Sequence, residues 1–194
     1  SNLSQFSTSS QENLNNWLNG NYNQKTKLEI KALIQNDPNE VEDSFYKNLD
    51  FGTGGLRGLM GIGPNRVNAY TLCMITQGIC NYLHELLGSK SKKVFIAYDT
   101  RNGSYEFAKE CARVFAGNDI TAHIFKEPRP LPLLSYSCIS HGCDLSVMIT
   151  ASHNPPQYNG YKVFWSNGAQ VLAPHDKAIL AANAKIKDFA QVKQ

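Results

Sequence analysis

From Tyr70 onward the chain alternates between two textures. Short apolar runs at Lys93–Asp99 (KVFIAYD), Ile120–Phe125, Asp144–Thr150 (DLSVMIT) and Gly160–Trp165 (GYKVFW) look like buried strands. Between them lie segments with apolar residues at helical spacing: Leu72, Ile75, Ile79, Leu83 and Leu86, then Phe107, Cys111, Val114 and Phe115. This alternation constrains the fold most, because parallel strands need a crossover of ten or more residues, usually a right-handed helical one. The expectation is an α/β chain: a three-layer α/β/α domain with a mostly parallel mixed sheet, covered on both faces. Ligands of such sheets bind at the carboxyl ends of strands. Three segments fall there: Asp99-Thr100-Arg101, Glu127–Pro132 and Thr150–Pro156.

The first fifty residues read differently, as an N-terminal helical lead-in (1–50) ahead of the α/β domain (51–194). Ser9 with Glu12 suggests a capping box before Leu14, Trp17 and Leu18. A second helix is expected around Leu28–Ile34, and a third with Asp37 as N-cap, Pro38 at N1 and Glu40 at N3. Residues 51–68 carry six glycines and a proline, which predicts a loop with short extended pieces. Asn102 is the expected cap of the following helix. EPRPLP (127–132) should be extended, Leu133–Ser140 helical, and Pro174 should open a last helix running through Ile179, Ala182, Ile186 and Phe189.

Composition narrows the function. Of 194 residues, 42% are hydrophobic and 18% charged, with a net charge of +3. That balance is globular, and too weakly basic for a nucleic-acid partner. No apolar run reaches the ~20 residues of a membrane span, and the N-terminus lacks the basic and apolar parts of a secretory signal. Ser1-Asn2 has the look of an expression remnant. The five cysteines include no CxxC pair. Cys138, His141 and Cys143 match no common zinc spacing and lack a fourth ligand. Cys73 and Cys80 should share a buried helix face. Buried reduced thiols and a cytoplasmic location are the reading.

One stretch concentrates chemistry. In TASHNPPQYNGYKVF (150–164) a strand delivers Thr150, the chain turns through Ser152, His153 and Asn154, and two prolines stiffen the far side. That is how a hydroxyl nucleophile is held in place. No G-x-S-x-G elbow surrounds Ser152, and His153, its neighbour in sequence, is badly placed as a triad base. FGTGGLRG (51–58) is neither a Walker A loop nor a G-x-G-x-x-G fingerprint. Read singly, Lys162 is equally a solvated strand lysine and Arg57 a stitch for a glycine-rich loop. His84, His123 and His175 read as surface or helix histidines, Tyr158 and Trp165 as packing residues.

Together, residues 150–164 closely resemble the active-site serine loop of the α-D-phosphohexomutases, the phosphoglucomutase/phosphomannomutase family. FGTGGLRG is similar to that family's first arginine loop, AYDTR (97–101) to its second strand end, and EPRPLPLLSY (127–136) to its RPTP segment, with Leu131 in the threonine's place. The wording is most like the longer glucomutase and phosphopentomutase branch. The resemblance spans about Phe51 to Lys187 and implies domain I of a four-domain enzyme.

It implies that Ser152 carries a phosphoryl group, gives it to a phosphosugar and takes another back from a bisphosphate intermediate, interconverting sugar 1- and 6-phosphates. Arg57 and Lys162 match the cationic active-site residues, with Lys162 a general acid/base for the sugar hydroxyl. His153 would steady the phosphate or shuttle a proton. Asn154 and Thr150 would serve the loop and phosphate binding, and Arg101 would either anchor the loops or face the phosphate. The phosphate on Ser152 would be one ligand of a Mg2+, with aspartate ligands from a later loop that this sequence lacks. A sugar 1,6-bisphosphate would be the activator, and the partners a phosphosugar and the rest of a parent polypeptide. Without those parts the chain is expected to show little mutase turnover. A phosphopentomutase, a sugar-bisphosphate synthase or a non-catalytic phosphoprotein or binding module are the alternatives.

Overall fold

Leu145–Ile149 (LSVMI) is the one strand in which every residue is buried, and it lies at the middle of the sheet. A run that apolar cannot be an edge; it must be covered on both faces. The computed structural model describes residues 3–194; Ser1 and Asn2, with the expression remnant suggested for them, lie outside the described residues. In chain order the elements are α1 (Thr8–Asn19), α2 (Gln24–Asn36), α3 (Pro38–Phe45), β1 (Gly55–Leu59), α4 (Ala69–Leu87), β2 (Lys92–Tyr98), α5 (Ser104–Gly117), β3 (Ile120–Ile124), α6 (Leu131–Ser140), β4 (Leu145–Ile149), β5 (Tyr158–Trp165), α7 (His175–Ala184) and a 3-10 turn (Phe189–Gln191).

The sheet order is β1-β5-β4-β2-β3. β3, β2 and β4 are mutually parallel, β5 is antiparallel to β4, and β1 is antiparallel to β5. Four strands therefore point one way and β5 alone opposes them, a mixed sheet of mostly common direction. Strand alternation sorts the side chains. Val94, Ile96, Leu145, Val147, Ile149, Tyr161 and Val163 pack in one core with Leu72, Ile79 and Leu83 of α4, Cys111 and Phe115 of α5 and Ile179 of α7. Phe95, Ala97, Met148 and Phe164 pack with Leu134 and Cys138 of α6. These are the three layers.

The lead-in forms its own small core of Leu14, Trp17, Tyr22, Ile30, Ile34, Val41 and Phe45. Asp37, Pro38 and Glu40 start α3 as their spacing suggests, whereas α1 is capped by Ser7 rather than Ser9: its Oγ accepts from Ser10 N–H. Asn102 does not cap α5. Gly103, in the left-handed region, takes that place. α6 begins at Leu131 rather than Leu133, with extended Pro130 as its N-cap, because two prolines are tolerated at and before the first turn of a helix. α7 ends at Ala184; Asp188 caps a separate 3-10 turn that swings Phe189 edge-on to Tyr70, into the lead-in cluster. Residues 55–59 form a five-residue strand, one of the short extended pieces expected within 51–68. All five cysteines are free and buried, and burial pushes the Cys111 thiol up to about 12 and Cys143 to about 11. No helix among the described residues is long and apolar enough to cross a membrane.

Candidate active site

The β4–β5 connection runs from Thr150 to Gln157. Because β5 turns back beside β4, the two arms of this hairpin are hydrogen-bonded neighbours. Ser152 stands on the loop and Lys162 on the returning strand, opposite Met148 of β4. Lys162 Nζ donates to Ser152 Oγ at 2.7 Å. Ser152 has a φ of +56°, a left-handed conformation that costs a non-glycine residue about 1 kcal/mol or more and persists only where neighbours enforce it. Its exposed hydroxyl is thereby held out from the sheet edge.

Arg101 does much of the enforcing. Its two terminal nitrogens donate to four carbonyls of the loop: Nη1 to Pro155 O (2.9 Å) and Tyr158 O (3.2 Å), Nη2 to Ser152 O (2.7 Å) and Asn154 O (2.7 Å). Its Nε faces Asp99 Oδ2 at 3.2 Å, and the side chain is 14% exposed. Four of the five N–H groups of the guanidinium are thus donated to the loop backbone, the geometry of the anchoring role expected of it.

Asp99 is the hub that residue-by-residue reading missed as a site residue. Its Oδ1 accepts from Arg101 N–H (3.0 Å) and Ser104 Oγ–H (2.7 Å), and its Oδ2 from Thr150 Oγ–H (2.6 Å). Thr150 is buried, and its hydroxyl oxygen in turn accepts from Ser152 N–H at 3.0 Å. Thr150 therefore ties the Ser152 backbone to Asp99. Asn159, also buried, donates to Ser104 Oγ at 2.9 Å and completes this polar cluster. The clue in the sequence was Asp99 at a strand's carboxyl end, two residues from Arg101.

Arg57 comes from the other side. β1 pairs with β5 so that Arg57 lies opposite Gly160 and Gly55 opposite Lys162, which places Arg57 and Lys162 on the same sheet face as diagonal neighbours. Arg57 Nη1 donates to Asn154 Oδ1 at 2.9 Å. Asn154 thus links Arg57 to the loop through its amide. This close strand packing requires a glycine at 160, where a Cβ would lie 2.6 Å from Leu56 O and 2.7 Å from Thr150 O. His153 is exposed and makes no hydrogen bond within the described residues.

An open depression of about 500 Å3 borders the loop, lined by Asp99, Thr100, Arg101, Asn102, Thr150, Ser152, Asn154 and Pro156. A larger cavity of about 670 Å3 lies elsewhere, between α1, α4 and α7. It contains no residue of the serine loop, whereas Ser152 lines the shallower one. No three His, Cys, Asp or Glu side chains among the described residues converge on a metal position, and both Asp99 oxygens are already engaged. These residues do not make a metal site by themselves.

The model of one family, "Phosphoglucomutase/phosphomannomutase, alpha/beta/alpha domain I", matches residues 48–189. Human phosphopentomutase is 38% identical over 174 residues, covering 86% of this chain and 28% of its own length. Mouse glucose 1,6-bisphosphate synthase is 39% identical over 172 residues, covering 84% of this chain and 28% of its own. Saccharomyces cerevisiae phosphoribomutase is 34% identical over 181 residues, covering 91% and 29%. The chain therefore spans less than a third of these relatives. A crystal structure from Thermus thermophilus, described as a phosphomannomutase, superposes with a TM-score of 0.66 at 28% identity, covering 76% of this chain and 31% of that one. The Paramecium phosphoprotein pp63/parafusin, at 20% identity and a TM-score of 0.58 over 73% of this chain and 27% of its own, shares the fold.

Proposed function

The chain belongs to the phosphoglucomutase/phosphomannomutase family, and on that premise we propose that Ser152 is the nucleophile that carries and passes on a phosphoryl group in a phosphosugar mutase. The observation that carries this reading is the 2.7 Å hydrogen bond from Lys162 Nζ to Ser152 Oγ. When phosphoserine gives up its phosphoryl group, a sugar oxygen attacks phosphorus and the bond from phosphorus to Ser152 Oγ breaks. Lys162, as an ammonium at that oxygen, supplies the proton the leaving serine needs. The amine so formed accepts the proton released by the sugar hydroxyl, so protons balance. In the opposite direction Ser152 attacks, Lys162 gives its proton to the leaving sugar oxygen, and the amine takes that of the Ser152 hydroxyl.

Phosphoryl transfer is driven by positioning and by cations that receive the spread of negative charge. Arg57 commits one N–H to Asn154; its other donors have no partner within the described residues and serve the phosphoryl oxygens. His153, exposed beside the nucleophile, meets the phosphate from solvent. Arg101, Asp99 and Thr150 act on the backbone of the loop. A Mg2+ would find here only the phosphoryl oxygens borne by Ser152, and would add to these cations a further charge to receive the spread of negative charge.

The substrate class is a sugar 1-phosphate and its terminal-phosphate isomer, hexose phosphates being the first reading. Pentose phosphates or synthesis of a sugar bisphosphate form the second. It is favoured by 34–39% identity to a phosphoribomutase, a phosphopentomutase and a glucose 1,6-bisphosphate synthase. The test is labelling from a sugar bisphosphate carrying radioactive phosphate, glucose or ribose, with and without the remaining segments of a mutase polypeptide supplied in trans. Label at Ser152, lost in Ser152→Ala and slowed about 100-fold or more in Lys162→Met, is expected. Label on another residue, or turnover indifferent to Ser152→Ala, overturns the assignment.

A further inference from the structure

The helices α1–α3 precede the segment that the family model matches, which starts at residue 48, and the mechanism above gives them no part. Their contacts do. β1 is an edge strand of five residues, two of them glycine, paired on one side with β5. Such a strand has little preference of its own for extended structure, yet it must present Arg57 to Asn154.

What borders its free side is the loop 60–68, and that loop is sewn to α3. Val67 N–H donates to Leu59 O at 2.8 Å, Asn65 N–H to Ser44 O at 3.0 Å, and Leu49 N–H to Pro64 O at 2.9 Å. Asn65 Nδ2 reaches Asp43 O at 2.9 Å. At the centre is Arg66, its side chain 4% exposed. It holds Glu40 by two parallel bonds of 3.0 Å, Nε to Oε1 and Nη2 to Oε2, and also pairs with Asp43. α3 in turn is seated in the lead-in core through Val41 and Phe45.

We propose that Arg66 is a positioning residue, which clamps α3 to the β1–α4 loop and so holds edge strand β1, with Arg57 on it, against the serine loop. An ion pair of this kind adds little net stability, because removing charges from water offsets most of the attraction. Two parallel bonds, by contrast, fix direction as well as distance. Arg66 neighbours Val67, Val67 is bonded to Leu59, and Leu59 is two residues from Arg57. The carboxylates of α3 are thus connected to the active-site cation by a short run of bonds.

The importance of Arg57's place rests on the phosphoryl-transfer reading; the clamp itself can be tested without activity. In the 15N-labelled chain, Arg66→Met should speed hydrogen exchange of the Leu56–Leu59 amides by about tenfold or more relative to wild type. Amides of Lys92–Tyr98 should not change, and the Asn154 side-chain amide resonance should move toward its position in Arg57→Ala. Arg66→Lys, which keeps the charge without the fork, should fall between. If Arg66→Met does not fold, Glu40→Gln gives the same comparison in milder form. Equal acceleration in β1 and β2, or an unmoved Asn154 resonance, overturns the clamp and leaves the labelling result standing. Failure of Ser152 to take label would do the reverse.

Discussion

Replacing Arg101 by lysine keeps the charge and removes the geometry, which makes it a sharp test of how the serine loop is held. Arginine donates four N–H groups to loop carbonyls here, two from each terminal nitrogen, and pairs with Asp99. A lysine ammonium has three, on one atom, and cannot span acceptors at both edges of the loop. The two bonds of one terminal nitrogen are lost. Hydrogen bonds to a charged donor contribute ~1.5–3 kcal/mol each, but these carbonyls regain water when released, so about 1 kcal/mol apiece is the appropriate value. The loop is then easier to open by about 2 kcal/mol, or about 30-fold. Native-state hydrogen exchange reads this at two amides inside the loop: Asn154 N–H, bonded to Ala151 O, and Ser152 N–H, bonded to Thr150 Oγ. Both should lose protection by that factor while β2 keeps its own. A folded Arg101→Lys protein with unchanged protection at Ser152 and Asn154 would refute the clamp, and the positive charge alone would then suffice.

Gly160→Ala drives a methyl group into two backbone carbonyls and should destabilise the chain by about 1–3 kcal/mol, seen as a lowered urea midpoint; an unchanged midpoint would mean the strands can part there at no cost. The thiols give a pH dependence. Burial raises Cys111 to about 12 and Cys143 to about 11 from an ordinary value near 9, so the folded state favours the neutral thiols. Their contribution is complete below pH 9 and is lost as pH rises through 11 and 12, because only the unfolded chain ionises early. Urea titrations at rising pH should show stability falling above about pH 9, and a thiol-reactive disulfide should label the native chain slowly at about pH 8. Rapid labelling of all five cysteines without denaturant would contradict this burial.

Much of the site was legible because its parts are local. Ser152, His153 and Asn154 sit in one loop, Lys162 follows on the next strand, and proline and glycine mark the turns. Asp99 and Arg101 were visible only as a strand end. Their work depends on Thr150, Ser104 and four loop carbonyls brought in from elsewhere, and no local pattern encodes that convergence. β1 was legible only as a short extended piece somewhere in 51–68: Gly-Leu-Arg-Gly-Leu has weak strand preference, and its place is imposed by β5 and the loop beside it. Asn102 looked like a cap by residue type, but Gly103 supplies the left-handed turn and Ser104 directs its hydroxyl to Asp99. Phe189 continued a helical spacing that the chain abandons, since packing on Tyr70 and Tyr22 outweighs another turn of α7.

The antiparallel return of β5 also has a kinetic side. The bond between Lys162 and Ser152 closes a loop of 10 residues, whereas the bond between Arg57 and Asn154 closes one of 97. By the logarithmic cost of joining chain ends, the second closure is harder by about 2 kcal/mol. Ser152 and Lys162 are therefore brought together as soon as one hairpin zips, among the earliest and most local contacts this chain can make. The arginine arrives only when the edge strand, from far upstream, docks onto that hairpin.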